Sequence, residues 1–206
     1  MVTKFPRNGL FFTSDSHFGH NAILGLCERP FSTIEEHDLT LINNWNSIVG
    51  TDDTVFHLGD FCFGNAQKWR EIREQLNGHI ILIIGNHDWK QLTQGVSSLF
   101  DHVSPAMRIT VDNRTVNLNH YPYLTFAHWK TEVYRDAYSV ALSGHTHIRK
   151  NDTGFDAEFT KLYKNTQYDV GVDLNNYTPI SWEEIDKRIK YQIENNTNIE
   201  HWINNE

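Results

Sequence analysis

Apolar residues in this chain fall into short runs of strand length, separated by stretches with helical period. Leu10–Thr13, Thr54–Leu58, Ile80–Ile84, Arg108–Val111, Thr115–Leu118, Ser139–Leu142 and Tyr168–Val172 read as strands. Asp112-Asn113 between two of them predicts a hairpin turn. Ser32 with Glu35 predicts a capping box, opening a helix with Leu39, Ile42, Trp45 and Val49 on one face. Asn65 predicts the cap of a second helix, carrying Ala66, Trp69, Ile72 and Leu76 and closed by Gly78. Ser181 with Glu184 opens a last helix bearing Ile185, Ile189 and Ile193. Strands alternating with helices, plus a hairpin, predict an α/β fold with mixed sheets and with these helix faces in its core.

Composition bounds the picture further. The 206 residues, 39% hydrophobic and 21% charged, suit one domain over residues 1–206 and exclude global disorder. A formal charge of −8 argues against a basic track for long nucleic acid. Cys27 and Cys62 are too few for a disulfide framework. Met1–Gly9 has no apolar signal core, and the longest aliphatic run, Ile80–Ile84, is far short of a membrane span. The expectation is a soluble cytoplasmic protein. The unusual number is 12 histidines, so their positions matter.

Five polar clusters each follow an apolar run directly. They are Asp15-Ser16-His17, Gly59-Asp60, Gly85-Asn86-His87-Asp88, Asn119-His120 and Gly144-His145-Thr146-His147. In open α/β sheets ligands bind at the carboxyl ends of strands, where distant segments converge. The glycines before Asp60, Asn86 and His145 suit tight exits beside a ligand. Carboxylate, imidazole and amide oxygen form a mixed N/O donor set without thiolate. Such a set suits manganese foremost, with iron, zinc, cobalt or nickel as alternatives. The donors exceed what one tetrahedral ion needs, which points to two divalent ions.

This order of motifs resembles the calcineurin-like metallophosphoesterase superfamily, whose signature runs D-x-H, G-D, G-N-H-D/E, a lone His, then G-H-x-H. The likeness spans Asp15 to His147, and Ser14-Asp15-Ser16-His17-Phe18-Gly19-His20 looks like a small single-domain microbial branch. The resemblance implies two mixed β-sheets packed as a sandwich and flanked by helices. It implies that Asp15, His17, Asp60 and His147 hold one metal, and that Asp60, Asn86, His120 and His145 hold the second, with Asp60 bridging. His87 would be catalytic, with Asp88 either orienting it or capping the next helix. The implied chemistry is in-line attack on phosphorus by a metal-bridging hydroxide.

Departures from the family narrow the substrate. After Gly59-Asp60 comes Phe61-Cys62-Phe63-Gly64, not the D-R-G continuation of the family's protein phosphatases and dinucleotide tetraphosphatases. There is no room for the DNA-binding domain of its recombination nucleases, and no amphipathic lid helix like that of its sugar-lipid pyrophosphatases. A phosphodiesterase acting on a small, soluble, nucleotide-like compound is the favoured reading. Phosphomonoesterase, nuclease of the same fold and catalytically silent partner-binding scaffold are the alternatives. Candidate substrate contacts are His20, Asn21, Arg29 and Tyr121, with Tyr123, Phe126, His128 and Trp129 close behind. Arg149, Lys150, Lys161 and Lys164 form a weak basic cluster, and Cys62 is expected to pack rather than react. His37, His57, His79, His102 and His201 receive no role. Nothing in the sequence marks a membrane or protein partner.

Overall fold

The computed structural model describes residues 3–149 and 157–205. Its first strands are β1 (Thr3–Lys4), β2 (Leu10–Thr13), β3 (Thr54–His57), β4 (His79–Ile83) and β5 (His102–Ser104). There follow β6 (Ala106–Val111), β7 (Arg114–Asn119), β8 (Val140–Ser143), β9 (Gln167–Asp169) and β10 (Ile180–Ser181). The helices are α1 (Asn21–Leu26), α2 (Ile34–Ile48), α3 (Ala66–Arg73), α4 (Trp89–Leu92), α5 (Thr131–Tyr134), α6 (Ala157–Thr160), α7 (Trp182–Glu194) and α8 (Glu200–Asn205). Among the described residues no helix is long and apolar enough to cross a membrane.

Two five-stranded mixed sheets form, in the orders β1-β6-β7-β8-β9 and β10-β2-β3-β4-β5. Side chains alternate across a strand, so each sheet sorts its residues onto two faces. Phe12, Phe56 and Ile81 lie in register on one face of the second sheet. They pack with Val111, Val116, Leu118, Val140, Leu142 and Tyr168 of the first sheet to fill the sandwich. The opposite face, with Val55, Ile80 and Leu82, meets Leu41 and Trp45 of α2 and Trp69 of α3. Trp182, Ile185 and Ile189 bring α7 onto the inter-sheet core. Each fully buried side chain of this size contributes roughly 1.5–3 kcal/mol of transfer free energy.

Several expectations shift by small amounts. The cap of α2 is Thr33, whose hydroxyl accepts from Glu36 N, while the Glu36 carboxylate takes Ser32 N at 2.8 Å. Both S/T-x-x-E frames are present and the one with Glu36 is used; on the helix it opens, Leu41 is buried and Leu39 is 57% exposed. Asn65 caps α3 as expected, but the helix ends at Arg73, and Gly78 with φ +85° closes the turn beyond it. Ser181 caps α7. Asp112 and Asn113 both have positive φ, as a two-residue hairpin requires. The run Tyr168–Val172 is not one strand. Gln167–Asp169 pairs with β8, then Gly171 bridges across to Ser14 at the end of β2, so the chain changes sheets in mid-run.

Candidate metal centre

The strand ends converge as the topology dictates. β2, β3 and β4 are parallel neighbours, so Asp15–His17, Asp60 and Asn86-His87 emerge along one edge. β7 and β8, parallel neighbours in the other sheet, deliver His120 and Gly144–His147. The sheet change after β9 ties the two edges: Val170 N donates to Ser143 O at 2.8 Å and Val172 N to Ser14 O at 3.1 Å.

Donor atoms of Asp15, His17 and His147 lie within 4.8 Å of one another, as do those of Asp60, His120 and His145. Asp60 Oδ2 faces both groups, 3.6 Å from His17 Nε2 and 3.5 Å from His120 Nε2. His147 Nε2 stands 3.7 Å from Asp15 Oδ1, and Asn86 Oδ1 stands 2.8 Å from His120 Nε2. Two donors each about 2.1 Å from one ion are roughly 3.0 Å apart at a right angle and roughly 3.4 Å apart at the tetrahedral angle. The spacings fit co-ligands. Asp15 Oδ1 and His17 Nε2 are buried and make no hydrogen bond, which is costly unless a cation completes them. The residues present therefore fit two divalent ions.

A second layer of contacts aims these donors. His120 Nδ1 bonds Leu58 O at 2.8 Å, His147 Nδ1 bonds Asp173 Oδ2 at 2.9 Å, and His17 Nδ1 lies 3.1 Å from His20 Nδ1. Each ring thus has one nitrogen engaged and turns Nε2 to the carboxylates. Burial, aided by His147, pushes the His17 imidazolium pKa well below its ordinary value, and burial with His120 lowers that of His145. Both rings are neutral, the form that ligates. Burial raises the Asp60 carboxyl. At His147 burial opposes charge, but Asp15 and Asp173 outweigh it and lift the ring to about 11. Those two carboxylates call for positive charge at this point.

Backbone geometry is unusual here. Asp15, His17, Asp60, His145 and His147 all have positive φ, between 46° and 71°. Gly59, at φ +98°, passes so close to Gly85 N and His120 Nδ1 that a Cβ would stand 2.5 and 2.7 Å from them. At Gly144 a Cβ would collide with the side chains of Ser14 and Asp15. The close approach expected of these glycines is present.

Several residues outside the donor set prove to support the centre. Asp88 neither orients His87 nor caps α4 with its side chain. Its buried carboxylate accepts Gly85 N at 2.7 Å, Asp60 N at 2.9 Å and Phe61 N at 3.0 Å. Burial pushes it up to about 6 while these donors pull the other way. His57, fully buried and pushed down to about 3 by burial, bonds Ser16 Oγ at 2.8 Å. Asp169 accepts Thr146 Oγ1 at 2.9 Å and Gly171 N at 2.7 Å, holding the loop between His145 and His147. The polar Asp169 and Asp173 alternating with apolar Val170 and Val172 are the signal in the sequence that could have marked them.

The substrate-contact candidates separate. Arg29 is not available to a substrate. Its five N–H groups are directed at Asp173 Oδ1 and Oδ2, Asp15 O, Ser16 O and His37 Nε2, all within 3.1 Å. Only 4% of the residue is exposed, so Arg29 is part of the scaffold. His37, expected to have no role, helps to hold it. His20 stacks on Phe63 with centroids 3.7 Å apart and planes 4° apart, close behind His17. Asn21 is exposed at the start of α1. Tyr121 is 47% exposed, its ring 4.5 Å from that of His145. Tyr123, Phe126, His128 and Trp129 lie in the loop after His120, and none of them is buried. In the basic cluster Arg149 pairs with Glu28, Lys161 with Glu158, and Lys164 lies over the Trp129 ring. Lys150 lies outside the described residues. Cys62 is buried and its thiol is pushed up by burial, in keeping with packing. His87 is 46% exposed, its Nε2 3.9 Å from Asp60 Oδ2 and its backbone N–H on Asp60 Oδ1 at 2.9 Å.

Comparison with known proteins agrees with this geometry. The chain is 31% identical over 184 residues to an uncharacterized protein of Methanocaldococcus jannaschii, covering 88% of this chain and 91% of that one. It is 34% identical over 165 residues to the gene 66 protein of Mycobacterium phage L5, covering 66% and 76%. A crystal structure of a protein of unknown function from Aquifex aeolicus superposes with a TM-score of 0.63 at 27% identity, covering 86% of this chain and 97% of that one. The sequence model of the calcineurin-like phosphoesterase superfamily domain matches residues 10–159, most of the chain, from β2 to α6. The protein belongs to the calcineurin-like phosphoesterase superfamily.

Proposed function

We propose that the protein is a binuclear phosphodiesterase acting on a small nucleotide-like diester. One ion would be held by Asp15, His17, Asp60 and His147, and the other by Asp60, Asn86, His120 and His145. The observation that carries this reading is Asp60 Oδ2, a single oxygen within 3.6 Å of a histidine from each group. When bound, two divalent ions neutralise phosphoryl charge and make water acidic enough to attack near neutral pH, with manganese the first candidate.

The remaining work falls to the chain. Asp60 is fixed through Oδ1 by His87 N, which leaves Oδ2 facing the centre. His87 is a half-exposed ring beside the buried Asp60 and His17, tilted at 48° against Phe63 with centroids 4.9 Å apart. From there it can donate a proton to the departing oxygen. Tyr121, on the rim beside His145, and His20 and Asn21 complete the wall facing the substrate.

The test is a comparison of leaving groups. A nitrophenolate departs unaided, whereas a nucleoside alkoxide needs a proton, and positioned acid catalysis contributes roughly 10²–10⁴-fold. Metal-loaded protein should hydrolyse bis(p-nitrophenyl) phosphate faster than p-nitrophenyl phosphate. His87→Asn should keep both metals, lose activity on nucleoside diesters within that range, and lose distinctly less on the aryl diester. Loss of metal would make His87 a ligand, and equal losses would assign it to phosphoryl charge instead. No hydrolysis with any metal, from protein binding two ions, would overturn the reading.

A further inference from the structure

Beside the proposed centre lies a cavity of about 620 Å³ to which no role has yet been given. One wall is the loop after Asp60, with Phe63 and Asn65, and the other is α4, with Trp89, Lys90 and Gln91. Asn86 and His87 join the walls at the end next to the metal donors. A group attached to phosphorus at the centre therefore has a path into the cavity past His87. Its size falls within the roughly 300–1,000 Å³ range of small-molecule sites and is far larger than a simple alcohol needs.

The lining is selective. Trp45, Trp69, Trp182 and Trp202 are buried, whereas Trp89 is 55% exposed. A large apolar ring left open on a cavity wall beside a reaction centre is a surface for stacking. Phe63 is stacked face-on by His20 and met at a 48° tilt by the His87 ring, so that wall is braced from two sides. The Gln91 amide donates to Gly64 O and clasps α4 to the opposite loop, which fixes the spacing of the walls. Asn65 uses its carbonyl oxygen to cap α3, leaving its N–H₂ as a donor. Apart from His87 and the buried Cys62 thiol, Lys90 is the one ionisable side chain among the described lining residues, and it offers only donors. The walls ask for a flat ring whose edge is rich in acceptors. A nucleobase has that chemistry, while a sugar can use the Trp89 face and the amides but gives Lys90 no ring acceptor to meet.

We infer that this cavity holds the nucleobase of the departing nucleoside, stacked on Trp89 with its edge toward Lys90 and Asn65. The inference rests on the phosphodiesterase reading and adds which part of the substrate is recognised. Water's oxygen bonds to phosphorus and gives one proton up to solvent, the bond from phosphorus to the nucleoside oxygen breaks, and that oxygen takes a proton from His87, which recovers one from solvent.

Adenosine carries no phosphate and needs no metal, so it probes the cavity by itself. Saturation-transfer NMR and calorimetry on metal-free protein should show saturable adenosine binding, with methyl glucoside much weaker. Trp89→Ala should weaken adenosine about 5–100-fold, the range of one base–aromatic stack, and Trp89→Phe should keep most of the affinity. Trp89 is exposed, so both variants should fold, which their denaturation curves check. Equal binding of adenosine and methyl glucoside, no binding at millimolar adenosine, or affinity unmoved in Trp89→Ala would overturn the assignment, even in an enzyme that cleaves diesters. Trp89-dependent adenosine binding in a protein that hydrolyses no phosphate ester would keep the base site and overturn the phosphodiesterase reading instead.

Discussion

The buried carboxylate of Asp88 accepts the backbone N–H of Asp60, 2.9 Å away across the mouths of two neighbouring strands. The same carboxylate takes the N–H groups of Phe61 and Gly85, so one side chain closes the loops after β3 and β4 onto each other. Removing it leaves three buried donors without an acceptor. Asp88→Ala should lower the stability of the metal-free protein by about 3 kcal/mol or more, read from urea denaturation. It should also weaken binding of both proposed metals, because the displaced loop carries Asp60, the proposed bridge.

The bridging role proposed for Asp60 predicts an asymmetry between variants. Wild-type protein loaded with manganese should retain about two equivalents after desalting, Asp60→Asn fewer than about one, and His120→Ala about one. Elemental analysis reads all three. Two equivalents in Asp60→Asn with unchanged affinity would remove Asp60 from the bridge.

Arg29 and Asp173 form a buried ion pair that also orients His147. The guanidinium fork matches Asp173 with two bonds, which an ammonium cannot do. Arg29→Lys should therefore cost about 3 kcal/mol of stability and weaken the ion beside Asp15, His17 and His147 about 10–100-fold. Competition with a fluorescent chelator measures the second effect. The ion beside Asn86 and His120 should be held as before.

The convergence of the candidate donors is largely legible in the sequence, because they sit just after apolar runs. Asp15, Asp60, His120 and His147 each stand within a few positions of the end of one. The supporting layer is harder to read. Arg29 lies in a loop with the look of a surface cation, and only its convergence with Asp173, 144 positions later, makes it internal. Asp88 occupies a helix N-terminus, where a capping role is the ordinary expectation, yet tertiary contacts claim its carboxylate. The two- and three-residue strands β1, β5 and β10 carry no periodicity to detect. Leu39 and Leu41 differ by two positions on α2, and only packing decides which is inside.

Away from the centre, Asp186 on α7 gathers Arg7, Arg114 and Lys190. Burial tends to raise its carboxyl, but hydrogen bonds from Lys190 and Arg114 outweigh that and set it below the usual carboxylate value. A depressed folded-state pKa gives stability that is present above the unfolded value and lost as pH falls through the folded one. Asp186→Asn should cost about 3 kcal/mol at pH 7 by stranding Arg114, and distinctly less at a second, acid pH below the folded-state value, where wild type protonates. Denaturation curves of metal-free protein at both pH values check the sign. A gap that widens toward acid would contradict it.

The left-handed backbone at Asp15, His17, Asp60, His145 and His147 sets evolution a particular problem. L-residues in that region are disfavoured by roughly 1–2 kcal/mol each relative to glycine, a large share of the roughly 5–15 kcal/mol by which a domain is stable. At these positions the main chain alone would select glycine, and the chemistry would go with the side chain. Selection for robustness and selection for turnover therefore pull in opposite directions at the same residues. A lineage freed from the need to hydrolyse anything would be expected to shed these donors early and gain heat resistance as it did so.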